Sequence, residues 1–258
     1  MVEARAVVAS KPVWVDLSSS DPAASRAFYS SLFDWEIEVS ADPQYGGYGR
    51  ARIGDKDVAG IGGTQSPEAP SVWMVYIGTH DAEDLAKAVE AAGGTVAAPP
   101  FDVGDQGRMA VFQDPSGAFI SAWQPRTMSG FQTNAPNTFG WAELNARGIE
   151  KAILFYNQVF GWTHKTSETG ENAPPYTEFQ LGGESTAGGM EMNPMVPAQV
   201  PSYWMVYFTV EDLDGSFQKG LKVGGQEMLA PQDFPGGRFA ILRDPQGAVF
   251  GLLAMARG

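Results

Sequence analysis

Residues Val13, Val15 and Leu17 alternate with Trp14, Asp16 and Ser18. A period of two predicts a strand with one apolar face. Asp21-Pro22 then offers an N-cap followed by proline at the first helical position. Phe28, Tyr29, Leu32 and Phe33 recur at the spacing of an amphipathic helix. Short strands are expected near Tyr48–Ile53 and Asp57–Thr64, joined by a Gly54-Asp55 turn. Val72–Gly78 reads as the next strand, with Trp73, Val75 and Ile77 on one side and Met74 and Tyr76 on the other. Asp81 caps a second helix that turns Leu85, Val89 and Ala92 inward and closes at Gly93. Strands near Thr95–Ala98, Arg108–Gln113 and Ala118–Trp123 follow.

From Gly140 onward the same pattern returns. Trp14-Val-Asp-Leu, Phe28-Tyr29, Leu32-Phe-Asp-Trp35, Trp73-Met-Val-Tyr76, Gly93-Gly94, Gly107-Arg108 and Asp114-Pro-Ser-Gly-Ala118 come back in order. Their counterparts are Trp141-Ala-Glu-Leu, Phe155-Tyr156, Val159-Phe-Gly-Trp162, Trp204-Met-Val-Tyr207, Gly224-Gly225, Gly237-Arg238 and Asp244-Pro-Gln-Gly-Ala248. The offset stays between 127 and 131, far above the roughly 20–50 residues of a solenoid repeat. A whole module has been duplicated, and each copy is long enough to own a core. The division expected is a flexible arm over 1–11, one module over 12–125, a Ser/Thr/Asn/Pro-rich linker over 126–138 and a second module over 139–255. In the second module strands are expected at Gly140–Asn145 and Ser202–Thr209, with helices near Ile149–Phe160 and Asp212–Val223.

Composition narrows the chemistry. No cysteine is present, which removes disulfides, thiolate metal sites and cysteine nucleophiles. The 30 acidic residues against 17 basic ones come without any Lys/Arg cluster, so nucleic acid is not an expected partner. No apolar run approaches a membrane span, and the start lacks the apolar core of a signal peptide. A cytoplasmic monomer or homodimer is expected.

A βαβββ unit used twice per module, with Phe-Tyr in the first helix and Asp-Pro-x-Gly before the last strand, resembles the vicinal oxygen chelate superfamily. That group includes glyoxalase I, extradiol dioxygenases, fosfomycin-resistance enzymes and bleomycin-binding proteins. The chain looks most like the two-module, glyoxalase-like proteins of actinobacteria. The resemblance implies an α+β fold in which each module is a curved mixed sheet, helices on the convex face and a ligand cavity on the concave one. It also implies a divalent metal held by four strands. Carried over position by position, those ligand places fall on Trp14, Gly60, Met74 and Ser121, and on Trp141, Gly188, Met205 and Gly251. Neither indole, glycine nor thioether suits a hard divalent ion, so no metal and no cofactor is expected. The two histidines, His80 and His164, stand at non-equivalent places.

What remains for the cavity is aromatic and soft: Trp14, Trp141, Met74, Tyr76, Met205, Tyr207 and Trp123, joined by Met190 and Met192. Such side chains give stacking faces and adaptable contacts. Asp16 and Glu143, two residues beyond the first-strand tryptophans, are the candidate general acid or base. The competing structural reading pairs them with Arg108 or Arg238. Those arginines would otherwise bind an anionic ligand or tie down the preceding loop. The expectation is a metal-independent protein that binds an aromatic or polycyclic small molecule, in secondary metabolism or self-resistance. The alternative is a metal-independent lyase, isomerase or cyclase using Asp16 or Glu143. A glyoxalase-like metalloenzyme ranks behind both.

Overall fold

The computed structural model describes residues 9–168 and 174–256. Four βαβββ units follow one another. The first runs β1 (Pro12–Ser19), α1 (Pro22–Phe33), β2 (Glu36–Val39), β3 (Gly49–Ile53) and β4 (Lys56–Gly63). The second runs β5 (Val72–Gly78), α2 (Ala82–Ala91), β6 (Thr95–Val103), β7 (Gly107–Gln113) and β8 (Phe119–Pro125). The third is β9 (Phe139–Ala146), α3 (Ile149–Phe160), β10 (Thr163–Ser167), β11 (Tyr176–Leu181) and β12 (Glu184–Glu191). The fourth is β13 (Tyr203–Thr209), α4 (Leu213–Lys222), β14 (Gln226–Phe234), β15 (Gly237–Arg243) and β16 (Val249–Met255). Two mixed sheets of eight strands result, ordered β2-β3-β4-β1-β5-β8-β7-β6 and β10-β11-β12-β9-β13-β16-β15-β14. The class is α+β, with two tandem modules. No helix among the described residues is long and apolar enough to cross a membrane.

Local chemistry explains the helix starts. Asp21 accepts the Ala24 amide at 3.1 Å, with Pro22 at the first helical position. Asp81 accepts the Glu83 and Asp84 amides, and Asp212 the Gly215 amide. Helix α3 begins after a glycine and borrows its cap: the Glu191 carboxylate accepts the amides of Gly148 and Ile149 at 2.9 and 2.8 Å. Each arrangement satisfies amides that the first turn leaves unpaired.

Several expectations need correction. Strand β2 carries Glu36, Ile37, Glu38 and Val39 at the edge of its sheet and is largely exposed, so it lacks the apolar alternation by which a strand is read. Strand β6 runs on through Pro99-Pro100 instead of stopping at Ala98. It is an edge strand with register shifts on both sides of Ala98, which is where a sheet tolerates proline. In α2 the buried positions are Ala82, Ala86 and Val89, whereas Leu85 and Ala92 are half-buried.

The two sheets follow the sequence repeat, while the compact units cut across it. Among the described residues, one compact unit gathers 9–14, 75–130, 142–168 and 174–204, and the other 15–74, 131–141 and 205–256. Each therefore joins one half of the first copy to the opposite half of the second. In the latter unit Phe28, Tyr29, Phe33 and Trp35 of the first copy pack edge-on or tilted against Phe208 and Phe250 of the second. In the former, Phe155, Tyr156, Phe160, Trp162 and Trp204 of the second copy pack on one another, and the places matching Phe208 and Phe250 are held by Ile77 and Ile120. Rings at these spacings add about 0.5–1.5 kcal/mol per pair to the burial of the side chains.

The segments read as arm and linker are hydrogen-bonded along their described length. Ser10 donates its amide to Gly78 O at 2.8 Å and accepts the Trp162 indole N–H at 2.7 Å. At the repeat position, Asn137 donates to Thr209 O at 2.7 Å and accepts the Trp35 indole at 2.8 Å. Residues 1–8 of the expected arm lie outside the described residues.

Candidate functional site

The motifs that reveal the repeat meet in two buried relays. The Trp73 indole donates to the Tyr29 hydroxyl at 2.9 Å, which donates to Asp244 Oδ2 at 3.1 Å. Asp244 Oδ1 accepts the amides of Gln246 and Ala248. In the other unit Trp204 donates to Tyr156 at 2.8 Å, and Tyr156 to Asp114 Oδ2 at 2.8 Å. Asp114 Oδ1 accepts Ser116 N, Ser116 Oγ and Ala118 N. Burial first, and the nearby carboxylate second, hold both tyrosine hydroxyls well above the ordinary phenol range. Burial also raises Asp244, against the pull of the amide and hydroxyl donors around it. These relays are load paths of the fold, with every donor matched to an acceptor.

The sheet faces opposite the helices carry the sequence-predicted aromatic, methionine and carboxylate residues, while Arg108 and Arg238 take the helix side. On the β1–β4 half, Asp16 stands in register with Gly60. The Tyr48 hydroxyl donates to Asp16 Oδ2 at 3.3 Å. A Cβ at Gly60 would overlap the Tyr48 hydroxyl and ring, and one at Gly62 would lie 3.0 Å from that ring. The glycines thus let Tyr48 lie flat on the strand. On the β9–β12 half, Glu143 stands opposite Gly188, and Asn145 opposite Met190. Glu143 is buried and accepts the Asn145 amide at 3.3 Å. Tyr203 is raised by burial, then by the Glu143 charge.

On the β5–β8 half, Tyr76 stands opposite Ser121. Trp123 lies two residues on and on the same side; its indole donates to Met128 O at 2.9 Å and passes close over Gly107. On the β13–β16 half, Tyr207 stands opposite Gly251 and its ring covers that glycine, where a Cβ would overlap it. Trp14, Tyr76, Trp123, Met192, Met205 and Tyr207 are buried, whereas Trp141, Met74 and Met190 are half-buried.

The arginines are both ion-paired. Arg108 is held by Glu83 at 2.9 Å and Asp102 at 3.0 Å, and Arg238 by Asp214 and Asp233 at 2.6 and 2.8 Å. These carboxylates belong to the neighbouring helix and hairpin, which ties down the loop before each arginine. Arg238 also lines an open groove of about 400 Å³ with Phe234, Gly237 and Met255.

Sequence reading missed Tyr48, whose repeat counterpart is Tyr176. Tyr176 recurs at an offset of 128 from Tyr48, the same signal that marked every other repeated residue. Both sit at or just before a strand start, where alternation carries no information.

A family model, Glyoxalase/Bleomycin resistance protein/Dioxygenase superfamily, matches residues 11–121 and again 138–252. The chain belongs to this superfamily. It is 39% identical over 253 residues to the putative glyoxylase CFP32 of Mycobacterium tuberculosis, covering 95% of each chain. It is 37% identical over 262 residues to the anthracycline biosynthesis protein DnrV of Streptomyces peucetius, covering 96% of this chain and 94% of that one. Among solved structures, the Mn(II)-bound glyoxalase of Novosphingobium aromaticivorans aligns over 95% of this chain and 82% of its own, with a TM-score of 0.64 at 18% identity.

The superfamily implies a divalent metal, but the residues at the positions carried over do not fit one. Trp14 and Trp141 have no lone pair to offer, Gly60, Gly188 and Gly251 no side chain, Met74 and Met205 only soft sulfur, and Ser121 a single neutral hydroxyl. The Tyr48 ring lies over Gly60, and the Tyr207 ring over Gly251. No group of three or more His, Cys, Asp or Glu able to hold a metal occurs among the described residues.

Proposed function

We propose that this protein binds a planar aromatic small molecule of the polycyclic type on its sheet faces, and does so without a metal. The observation that carries the reading is the make-up of those faces: Trp14, Tyr76 and Trp123 in one compact unit and, separately, in the other unit, Tyr48 laid over glycine where the superfamily implies a metal ligand. Broad rings stack on ligand rings with little loss of side-chain freedom. DnrV, named for anthracycline biosynthesis, supports a polycyclic ligand of that class. The net charge of −13 favours a neutral or cationic ligand over an anionic one.

A second reading has its own observation. The Tyr48–Asp16 contact at 3.3 Å places a phenol beside a carboxylate on the face, a pair suited to proton transfer. Under that reading Asp16, or its counterpart Glu143, works as general acid or base on the same class of molecule.

Quenching of tryptophan fluorescence across a panel of anthracyclines, their aglycones and smaller quinones tests binding, and mass analysis of each mixture separates the readings. Binder means quenching with ligand mass and isomer unchanged. Enzyme means a new species that Asp16→Asn or Glu143→Gln abolishes while quenching persists. No quenching by any polycyclic member overturns both.

A further inference from the structure

The two tyrosine faces differ at one position in a way that points to a ligand atom. Ser121 is fully buried, and its Oγ has no hydrogen-bond partner among the described residues. A buried hydroxyl left in this state is costly, and native structures rarely keep one without a reason. Strand alternation gives Ser121 the side shared by Tyr76 and Trp123, while Ile120 and Ala122 take the helix side. The repeat position is Gly251, where the Tyr207 ring lies on the backbone. Leu253 takes the place of Trp123 there. At Gly251 the tyrosine ring lies on the strand, whereas the other face holds a buried, unsatisfied hydroxyl beside an indole whose own N–H is already engaged at 2.9 Å.

We infer that the Ser121 hydroxyl is the polar anchor of the ligand, meeting a carbonyl or phenolic oxygen of an aromatic ring bound on the β5–β8 face. This deepens the reading given under Proposed function and rests on it. Serine both donates and accepts, so quinone and phenol oxygens both fit, whereas an unoxygenated arene does not.

The test compares the wild-type chain with Ser121→Ala in two measurements. The probes are a dihydroxyanthraquinone and a solubilised anthracene without ring oxygens. The alanine variant should bind the dihydroxyanthraquinone about three- to ten-fold more weakly, the scale of one hydrogen bond. Its affinity for the anthracene should stay within twofold. Its unliganded melting temperature should rise, because an unsatisfied buried hydroxyl has been removed. Opposite signs in stability and affinity are what a merely structural serine would not give. Unchanged affinity for the dihydroxyanthraquinone, or a lowered melting temperature, overturns the assignment of Ser121 while leaving the binding reading intact. A wild-type chain that binds neither probe removes the binding reading, and this inference falls with it.

Discussion

The β5–β8 and β13–β16 faces began as copies and no longer match, while the relays behind them still do. Trp73–Tyr29–Asp244 and Trp204–Tyr156–Asp114 use the same three residue types and the same donors and acceptors. On the faces, Ser121 and Trp123 stand where the other copy has Gly251 and Leu253. The contrast separates two kinds of repeated residue. Those that hold the fold keep their identity because each has a buried partner to satisfy. Those on the sheet faces away from the helices are free to differ, and the difference is where binding chemistry is to be sought.

The largest effect should come from the relays. Asp114→Ala or Asp244→Ala removes the acceptor of a buried tyrosine and of two amides, and should cost about 3–5 kcal/mol in chemical denaturation, equally in both copies. A loss below about 1 kcal/mol at either would break the equivalence of the relays. The faces should respond unequally. Gly251→Ala forces the Tyr207 ring off the strand and should cost about 1–3 kcal/mol, whereas Ser121→Ala should stabilise the unliganded chain. If both variants lose stability alike, the two faces are built the same way and the contrast fails.

A smaller effect follows from Asp244. Burial raises its carboxyl above the ordinary value, so the folded state holds the proton more tightly than the unfolded chain. The resulting penalty on the ionised form is fully present above the folded pKa. It is relieved as pH falls through that value toward the unfolded one. The stability of wild type relative to Asp244→Asn should therefore shift in favour of wild type as the solution is acidified from neutrality toward pH about 4. A shift the other way would mean that the surrounding donors outweigh burial.

Much of this was legible in the chain. Alternation in β1 placed Trp14 and Asp16 opposite Val13 and Val15, and the doubled motifs marked the four βαβββ units. The exchange of halves was not legible, for a physical reason. Tyr29 needs a buried acceptor, and both Asp114 and Asp244 carry the same local motif, so sequence alone does not say which aspartate it meets. Tyr48 escaped because a ring lying over glycine is a contact between strands and leaves no periodic trace. Ser121 was visible as a place that the superfamily gives to a metal ligand; that its hydroxyl is buried without a partner is a property of packing only.

Calorimetric titration of chelator-treated protein with a dihydroxyanthraquinone tests the central claim most directly. One ligand bound per chain, with affinity unchanged when Mn(II) is restored, is the predicted result. Binding that appears only with the metal, or an equal second site, would contradict a metal-free ligand face present in one copy alone.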